Sequence, residues 1–301
     1  MKILLLGANG QVGWELQRSL LPLGQLKACD RKTADLNNVD ALAMIVQEFS
    51  PDFIVNAAAY TAVDQAETDK DNAHRINATA VECLAKLAKE QDAWLIHYST
   101  DYVFDGTKES PYIETDTTNP LNVYGQSKRK GEEAIVNSGC KYLIFRTSWV
   151  YATRQDNFAK TMIRLAKERE SLNVIADQFG VPTSAELIAD ITSTCINRLL
   201  QDAALAKTAS GIYHLAPTGE TTWHGYAYCV LKEAEQQGAS FKTTAENVGA
   251  ITTAQYPLPA KRPANSRLNV QKICDAFDVE LPNWQTHVHQ LICELSAKDS
   301  L

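Results

Sequence analysis

The chain has 301 residues, enough for one large domain or a domain with a smaller lobe. Its 45% hydrophobic and 22% charged content is an ordinary globular balance. A formal net charge of -7 argues against a nucleic-acid or anionic-membrane partner, and no apolar run reaches membrane-spanning length.

Lys2–Ala8 reads as a strand that runs into Gly7-x-x-Gly10-x-x-Gly13, and Val12–Leu21 follows as an amphipathic helix. Strand, glycine loop and helix together form a dinucleotide-binding signature. The glycines let the backbone turn tightly and approach a pyrophosphate at the helix N-terminus. Met1-Lys2 leads straight into this loop, so no secretory leader is expected. Strand patterns at Leu26–Asp30, Asp52–Ala58, Ala93–Thr100 and Tyr142–Thr147 then alternate with helical patterns at Val39–Phe49, Asn72–Gln91 and Leu121–Asn137. This alternation predicts an α/β fold, a Rossmann-type doubly wound parallel sheet whose post-strand loops converge on one crevice. Past Tyr151 the pattern loosens. Helices are predicted at Asn157–Arg169, Ala185–Leu200, Thr222–Gln237 and Asn283–Ala297, with short strands at Leu172–Ala176 and Ile212–Leu215. We expect a dinucleotide-binding domain over 1–150 and a smaller mixed α/β substrate lobe over 151–301, some of whose segments return to the first domain.

Tyr124 and Lys128 stand four apart in a predicted helix, one turn above the other on one face. A protonated lysine beside a phenol lowers its pKa, which suits proton transfer in a carbonyl/alcohol interconversion. Thr100, with Ser99 second, ends a strand where its hydroxyl can bond a substrate carbonyl oxygen. Asp30 ends the second strand, where an acid accepts bonds from ribose hydroxyls and favours NAD; Arg31 and Lys32 follow at once and suit a 2′-phosphate, so both coenzymes fit. Asp35 and Leu36 are placed to flank the adenine, the small residues Asn56–Ala59 let backbone approach the dinucleotide, and Thr61 can reach ribose or substrate. The six histidines show no zinc-ligand spacing, so metal catalysis is not expected. Seven scattered cysteines without Cys-x-x-Cys point to free thiols in a reducing cytoplasm.

The glycine loop with Tyr-x-x-x-Lys resembles the extended short-chain dehydrogenase/reductase superfamily. Within it, Gly10–Leu16, Val55–Ala59, Ser99–Phe104, Pro120–Gly125, Phe145–Tyr151, Asn157–Met162, Gly180–Thr183 and Arg262–Leu268 are similar to the dTDP-4-dehydrorhamnose reductase family, over nearly the whole chain. The resemblance implies reduction of the C4 ketone of a dTDP-sugar, dTDP-4-dehydro-L-rhamnose, with NADPH or NADH. It implies that Tyr124 protonates the new C4 oxygen, that Lys128 orients the nicotinamide ribose and that Thr100 steadies the carbonyl. It also implies cofactor contacts from Gly10, Gln11, Val12, Asp30, Asp35, Leu36, Ala59, Tyr60 and Thr61. Asp101 and Trp149 are expected at the sugar, and the loop carrying Arg262, Asn265 and Arg267 at the diphosphate. Some relatives dimerise around magnesium; the matching positions are Glu15, Glu186 and Glu294, which suit a hard cation and a homodimer. A 4,6-dehydratase commonly has Thr-Asp-Glu, but here Tyr102 follows Asp101. An epimerase and a non-catalytic, dinucleotide-binding regulatory subunit are the other readings; intact Tyr124, Lys128 and Thr100 argue against the last.

Overall fold

In the computed structural model, which describes residues 1–297, the first strand is apolar on both faces. Ile3 and Leu5 enter one hydrophobic core, and Leu4 and Leu6 enter another. Such a strand is suited to the interior of a parallel sheet covered on both sides. Residues 298–301 of the expected second lobe lie outside the described residues.

The first half runs β1 Lys2–Leu6, α1 Gln11–Leu20, β2 Gln25–Cys29, α2 Val39–Phe49, β3 Phe53–Asn56, α3 Val63–Ala66 and α4 Lys70–His74. It continues with α5 Ala80–Glu90, β4 Trp94–Thr100, α6 Val123–Ser138 and β5 Lys141–Thr147. The second half adds β6 Val150–Tyr151, α7 Phe158–Glu168, β7 Leu172–Ile175, β8 Phe179–Gly180, β9 Thr183–Ser184, α8 Ala185–Gln201 and α9 Ala203–Thr208. Then come β10 Gly211–His214, β11 Thr221–Thr222, α10 Trp223–Gln236, β12 Val248–Ile251, α11 Gln271–Phe277 and α12 Trp284–Ala297.

The main sheet has six strands in the order β10-β5-β4-β3-β1-β2, all parallel. One face is covered by α1, α8 and α11, the other by α2, α5 and α6. The order reverses beside β1, and open sheets of this kind bind ligands at the strand C-termini near that point. A separate core joins α7, α10 and α12 with β7 and β12. β10 extends the main sheet although it lies past residue 150, and α8 packs against α1. All seven cysteines are free thiols. Among the described residues, no helix is long and apolar enough to cross a membrane.

The expected helix Asn72–Gln91 forms as one continuous helical run over Lys70–Glu90, with a wider turn inside it. A π turn over Arg75–Thr79 joins α4 to α5. Asn77 within it accepts a hydrogen bond from Tyr60 N at 2.9 Å and donates to Tyr60 O and Ser127 Oγ, both at 3.0 Å. These bonds tie the loop after β3 to α6. A buried ion pair ties α6 to the sheet: Arg146 on β5 donates from Nε and Nη2 to Glu132 on α6, at 2.9 and 2.6 Å.

Candidate active site

The loop after β1 is built on absent side chains. Gly7 has φ of +82°, and a Cβ there would lie 2.6 Å from Ala58 N. A Cβ on Gly13 would lie 2.0 Å from the Gly7 carbonyl oxygen. Glycine at both positions lets α1 start against the loop, with its free N–H groups at the end of the sheet. The cleft that opens there has a volume of about 620 Å³. Gly7, Gly10, Gln11, Val12, Asp30, Asp35, Leu36, Ala59 and Thr61 line it, together with Thr100, Asp101, Tyr124, Lys128 and Trp149. Gly13 sits behind the lining, where its role is packing. Buried Gln11 Oε1, Ser99 Oγ and Thr147 Oγ1 have no hydrogen-bond partner within the protein, and all three residues face the cleft. An elongated ligand rich in hydroxyls and phosphates suits this wall. Thr33 first, then Lys32 and Asn9, hold the Asp30 carboxyl below its ordinary pKa by hydrogen bonds.

The reacting end lies where β4 meets α6. Asn122 caps α6 by accepting from Gly125 N at 2.8 Å, and Tyr124 and Lys128 follow one turn apart. Tyr102 packs edge-on against the Tyr124 ring, with centroids 5.9 Å apart. Thr100 Oγ1 accepts from Tyr102 N at 3.2 Å and donates to Asp101 Oδ1 at 3.0 Å. Burial pushes Asp101 up to about 6, against hydrogen bonds from Ser266 and Thr100. The electrostatics differ from the sequence expectation. Burial, and then the Asp101 charge, push the Tyr124 hydroxyl above its ordinary pKa, with the Thr100 hydroxyl working the other way. Lys128 does not draw it down, because Nζ is held elsewhere. It donates to the Tyr98 carbonyl at 2.6 Å and meets His97 Nε2 at 3.1 Å.

Trp149 follows β5 with φ of +47°, a conformation that costs a non-glycine residue about 1–3 kcal/mol. Its indole stacks on Trp223 at 3.7 Å between centroids, and Gly180 leaves room for the ring. The result is a flat apolar wall in the cleft that Tyr124 also lines.

A family model, the RmlD substrate binding domain, matches residues 1–297. The chain belongs to this family. It is 52% identical to a dTDP-4-dehydrorhamnose reductase of Salmonella typhimurium over 299 residues, covering 98% of each chain. The crystal structure of a dTDP-4-dehydrorhamnose reductase from Bacillus anthracis in complex with NADP superposes with a TM-score of 0.85 at 34% identity, covering 97% of this chain and 99% of that one. A dTDP-4-dehydrorhamnose reductase ortholog from Clostridium acetobutylicum gives 0.88 at 33% identity, covering 98% and 99%.

Four expected site residues stand outside the cleft in this RmlD-family chain. Tyr60 packs with Val123, and its hydroxyl faces Asp69, while Asn77 fixes its backbone. Arg262 forms a two-pronged pair with Asp64, at 3.0 and 2.7 Å. Arg267 bonds Glu220 at 2.9 Å and the Glu109 carbonyl. Asn265 donates to the carbonyls of Lys108 and Ser110. The 262–267 segment therefore buttresses the 105–116 loop, and both of its guanidinium groups are met by carboxylates. Glu15, Glu186 and Glu294 do share a surface cleft. Burial, then the charges of Glu294 and Glu15, push Glu186 up to about 7. Among the described residues, however, no three His, Cys, Asp or Glu side chains are arranged to hold a metal ion, so the expected magnesium site is not assembled by one chain.

The cleft also contains residues that the sequence reading did not single out. Gln155, with φ of +61°, reaches from the loop after β6 to donate to Asn9 O at 2.6 Å. Trp223 backs Trp149, and Asn9 donates to Asp30 at 2.9 Å. Their only sequence mark is proximity to helix starts or to the glycine loop.

Proposed function

We propose that this protein is a dTDP-4-dehydrorhamnose reductase, reducing the C4 ketone of dTDP-4-dehydro-L-rhamnose to dTDP-L-rhamnose with NADPH or NADH. The observation that carries this is the meeting of Tyr124, Lys128 and Thr100 with the glycine loop in one cleft, in a chain 52% identical to a reductase of that name. The residues present fit a dinucleotide: the loop has no side chains in the way, α1 offers free N–H groups, and unpartnered oxygens line the wall. Gly7, Gly10, Gln11 and Val12 would hold the pyrophosphate, Asp30, Asp35 and Leu36 the adenosine, and Lys128 the nicotinamide ribose. When bound, a reduced nicotinamide supplies hydride.

The protein's part is acid catalysis and exclusion of water. A reduction needs a group that enters the reaction with its proton on. The environment of Tyr124 holds the proton on its hydroxyl, from which it passes to the C4 oxygen. Thr100 can turn its hydroxyl from Asp101 to the same oxygen. Trp149 and Trp223 offer a flat face to the sugar ring. The seven free thiols support a cytoplasmic, reducing location. In the same reading a second copy docks at the cleft of Glu15, Glu186 and Glu294; light scattering with and without added Mg²⁺ tests it. The main test supplies purified protein with dTDP-4-dehydro-L-rhamnose and follows the reduced-nicotinamide absorbance. Stoichiometric loss of NADPH or NADH with dTDP-L-rhamnose formed is expected; coenzyme binding without turnover overturns the reading.

A further inference from the structure

The loop between β6 and α7 belongs to the second lobe but grips the first. Three successive side chains each hold a different element. Thr153 donates to Glu294 on α12 at 2.6 Å. The Arg154 guanidinium lies 3.6 Å from the centre of the Trp14 ring, near the start of α1. Gln155 Nε2 donates to the Asn9 carbonyl in the glycine loop at 2.6 Å. The loop is braced from behind. Lys160 on α7 donates to the carbonyls of Thr153 and Gln155 at 3.3 and 2.9 Å, and Asn157 donates to that of Ala152 at 2.6 Å. Its two ends share one support, because Trp149 before it and Phe158 after it pack on the Trp223 ring, with centroids 3.7 and 4.7 Å away.

Gln155 adopts φ of +61°, a region where glycine sits without strain and glutamine does not. Such outliers persist where several contacts over-determine them, and they gather at ligand clamps. What glutamine adds over glycine here is the bond to Asn9. That bond acts on a single peptide plane, which carries the Asn9 carbonyl and the Gly10 N–H. Gln155 ties the carbonyl, and the Gly10 N–H donates to the Gly7 carbonyl at 2.9 Å. With both edges tied the plane cannot turn. The N–H groups of Gln11 and Val12 that follow have no partner inside the helix, and they keep the direction the plane gives them. The Asn9 side chain carries the tie onward to Asp30 Oδ2 at 2.9 Å. Asn9 and Gln155 both line the cleft.

We infer that Thr153–Gln155 is a clasp closed by the second lobe on the glycine loop, and that Gln155 is a positioning residue for the coenzyme's pyrophosphate, acting through Asn9. The inference rests on the dinucleotide reading of the cleft and adds to it a contribution from the substrate lobe. Arg154 works in the same sense, placing positive charge beside the helix end that takes an anion.

Gln155→Gly removes the bond and relieves the backbone. Gln155→Lys restores a donor on the same strained backbone. NADPH or NADH, whichever wild type binds more tightly, is titrated into each protein and followed by nicotinamide fluorescence, with no sugar present. The glycine variant should bind coenzyme about two- to tenfold more weakly, the worth of one hydrogen bond, while melting no lower than wild type. The lysine variant should bind as tightly as wild type or more so. Unchanged affinity in Gln155→Gly overturns the clasp. So does a loss that Gln155→Lys does not repair, or one that comes only with a lower melting temperature, because Gln155 is then merely a tie between lobes. Coenzyme binding that follows the expected series in protein that reduces no keto-sugar upholds the clasp and rejects the reductase. Wild-type protein that binds neither coenzyme overturns both.

Discussion

Replacing Arg146 by Met leaves the Glu132 carboxylate buried without its partner. The pair is enclosed, with side chains 3% and 4% exposed, and both guanidinium bonds are short and parallel. Removing one member of such a pair costs about 3–5 kcal/mol. Arg146→Met belongs at the upper end, because it also removes the guanidinium from the Phe104 ring, 5.1 Å away, and from the Glu114 carbonyl at 3.4 Å. Glu132→Gln keeps one acceptor and belongs near the lower end. A domain is stable by roughly 5–15 kcal/mol, so either loss is a large fraction. Tyr124, Lys128 and Glu132 lie four apart on one stripe of α6, and loosening the last reaches the first two. Urea unfolding followed by circular dichroism measures the cost, and turnover measures its effect on the site. The double variant Glu132→Leu with Arg146→Met leaves no unpaired charge and should recover most of the stability. A loss under about 1 kcal/mol in Arg146→Met, or a double variant no better than the single ones, refutes the reasoning.

Asp101 is 3% exposed and is raised to about 6, so its contribution to stability is full below its unfolded value near 3.8 and is lost as the pH rises through 6. Asp101→Asn should lack that loss, and melting curves of the two proteins should diverge between pH 4 and 7 by up to roughly 3 kcal/mol; parallel curves contradict it. Gly13→Ala forces a Cβ to within 2.0 Å of a backbone oxygen, so coenzyme affinity in a fluorescence titration should fall by more than about tenfold; unchanged affinity rejects the close-approach argument. Trp223→Ala removes the stacking partner of Trp149, worth about 0.5–1.5 kcal/mol, and should raise KM for the keto-sugar about two- to tenfold with coenzyme affinity unchanged. An unaltered KM would take Trp149 and Trp223 out of sugar recognition.

The parts of the site made by local spacing were legible in the sequence. The glycine loop needs three residues at fixed intervals between a strand and a helix, and Tyr124 and Lys128 need one helical turn. The parts made by distant partners were not. Arg262 is engaged by Asp64 across 198 residues and Arg267 by Glu220 across 47, and nothing near either arginine announces its carboxylate. His97 lies in a strand buried at every position, so no polar/apolar alternation distinguishes it from the core. The π turn inside the Asn72–Gln91 helix was not legible either: it carries Asn77, whose bonds to Tyr60 and Ser127 exist only after the loop and α6 have packed. Ile212–Leu215 reads as a short strand from its apolar residues, but that the strand formed there, β10, extends the first sheet follows from its pairing with β5.

The central claim is that the Tyr124 hydroxyl delivers the proton in ketone reduction. Tyr124→Phe removes one oxygen atom and keeps the ring against Tyr102. Coenzyme dissociation constant and kcat, determined on the same preparation, separate binding from chemistry. The account predicts an unchanged dissociation constant and a kcat lower by about 10²–10⁴-fold; wild-type turnover in the phenylalanine enzyme contradicts it.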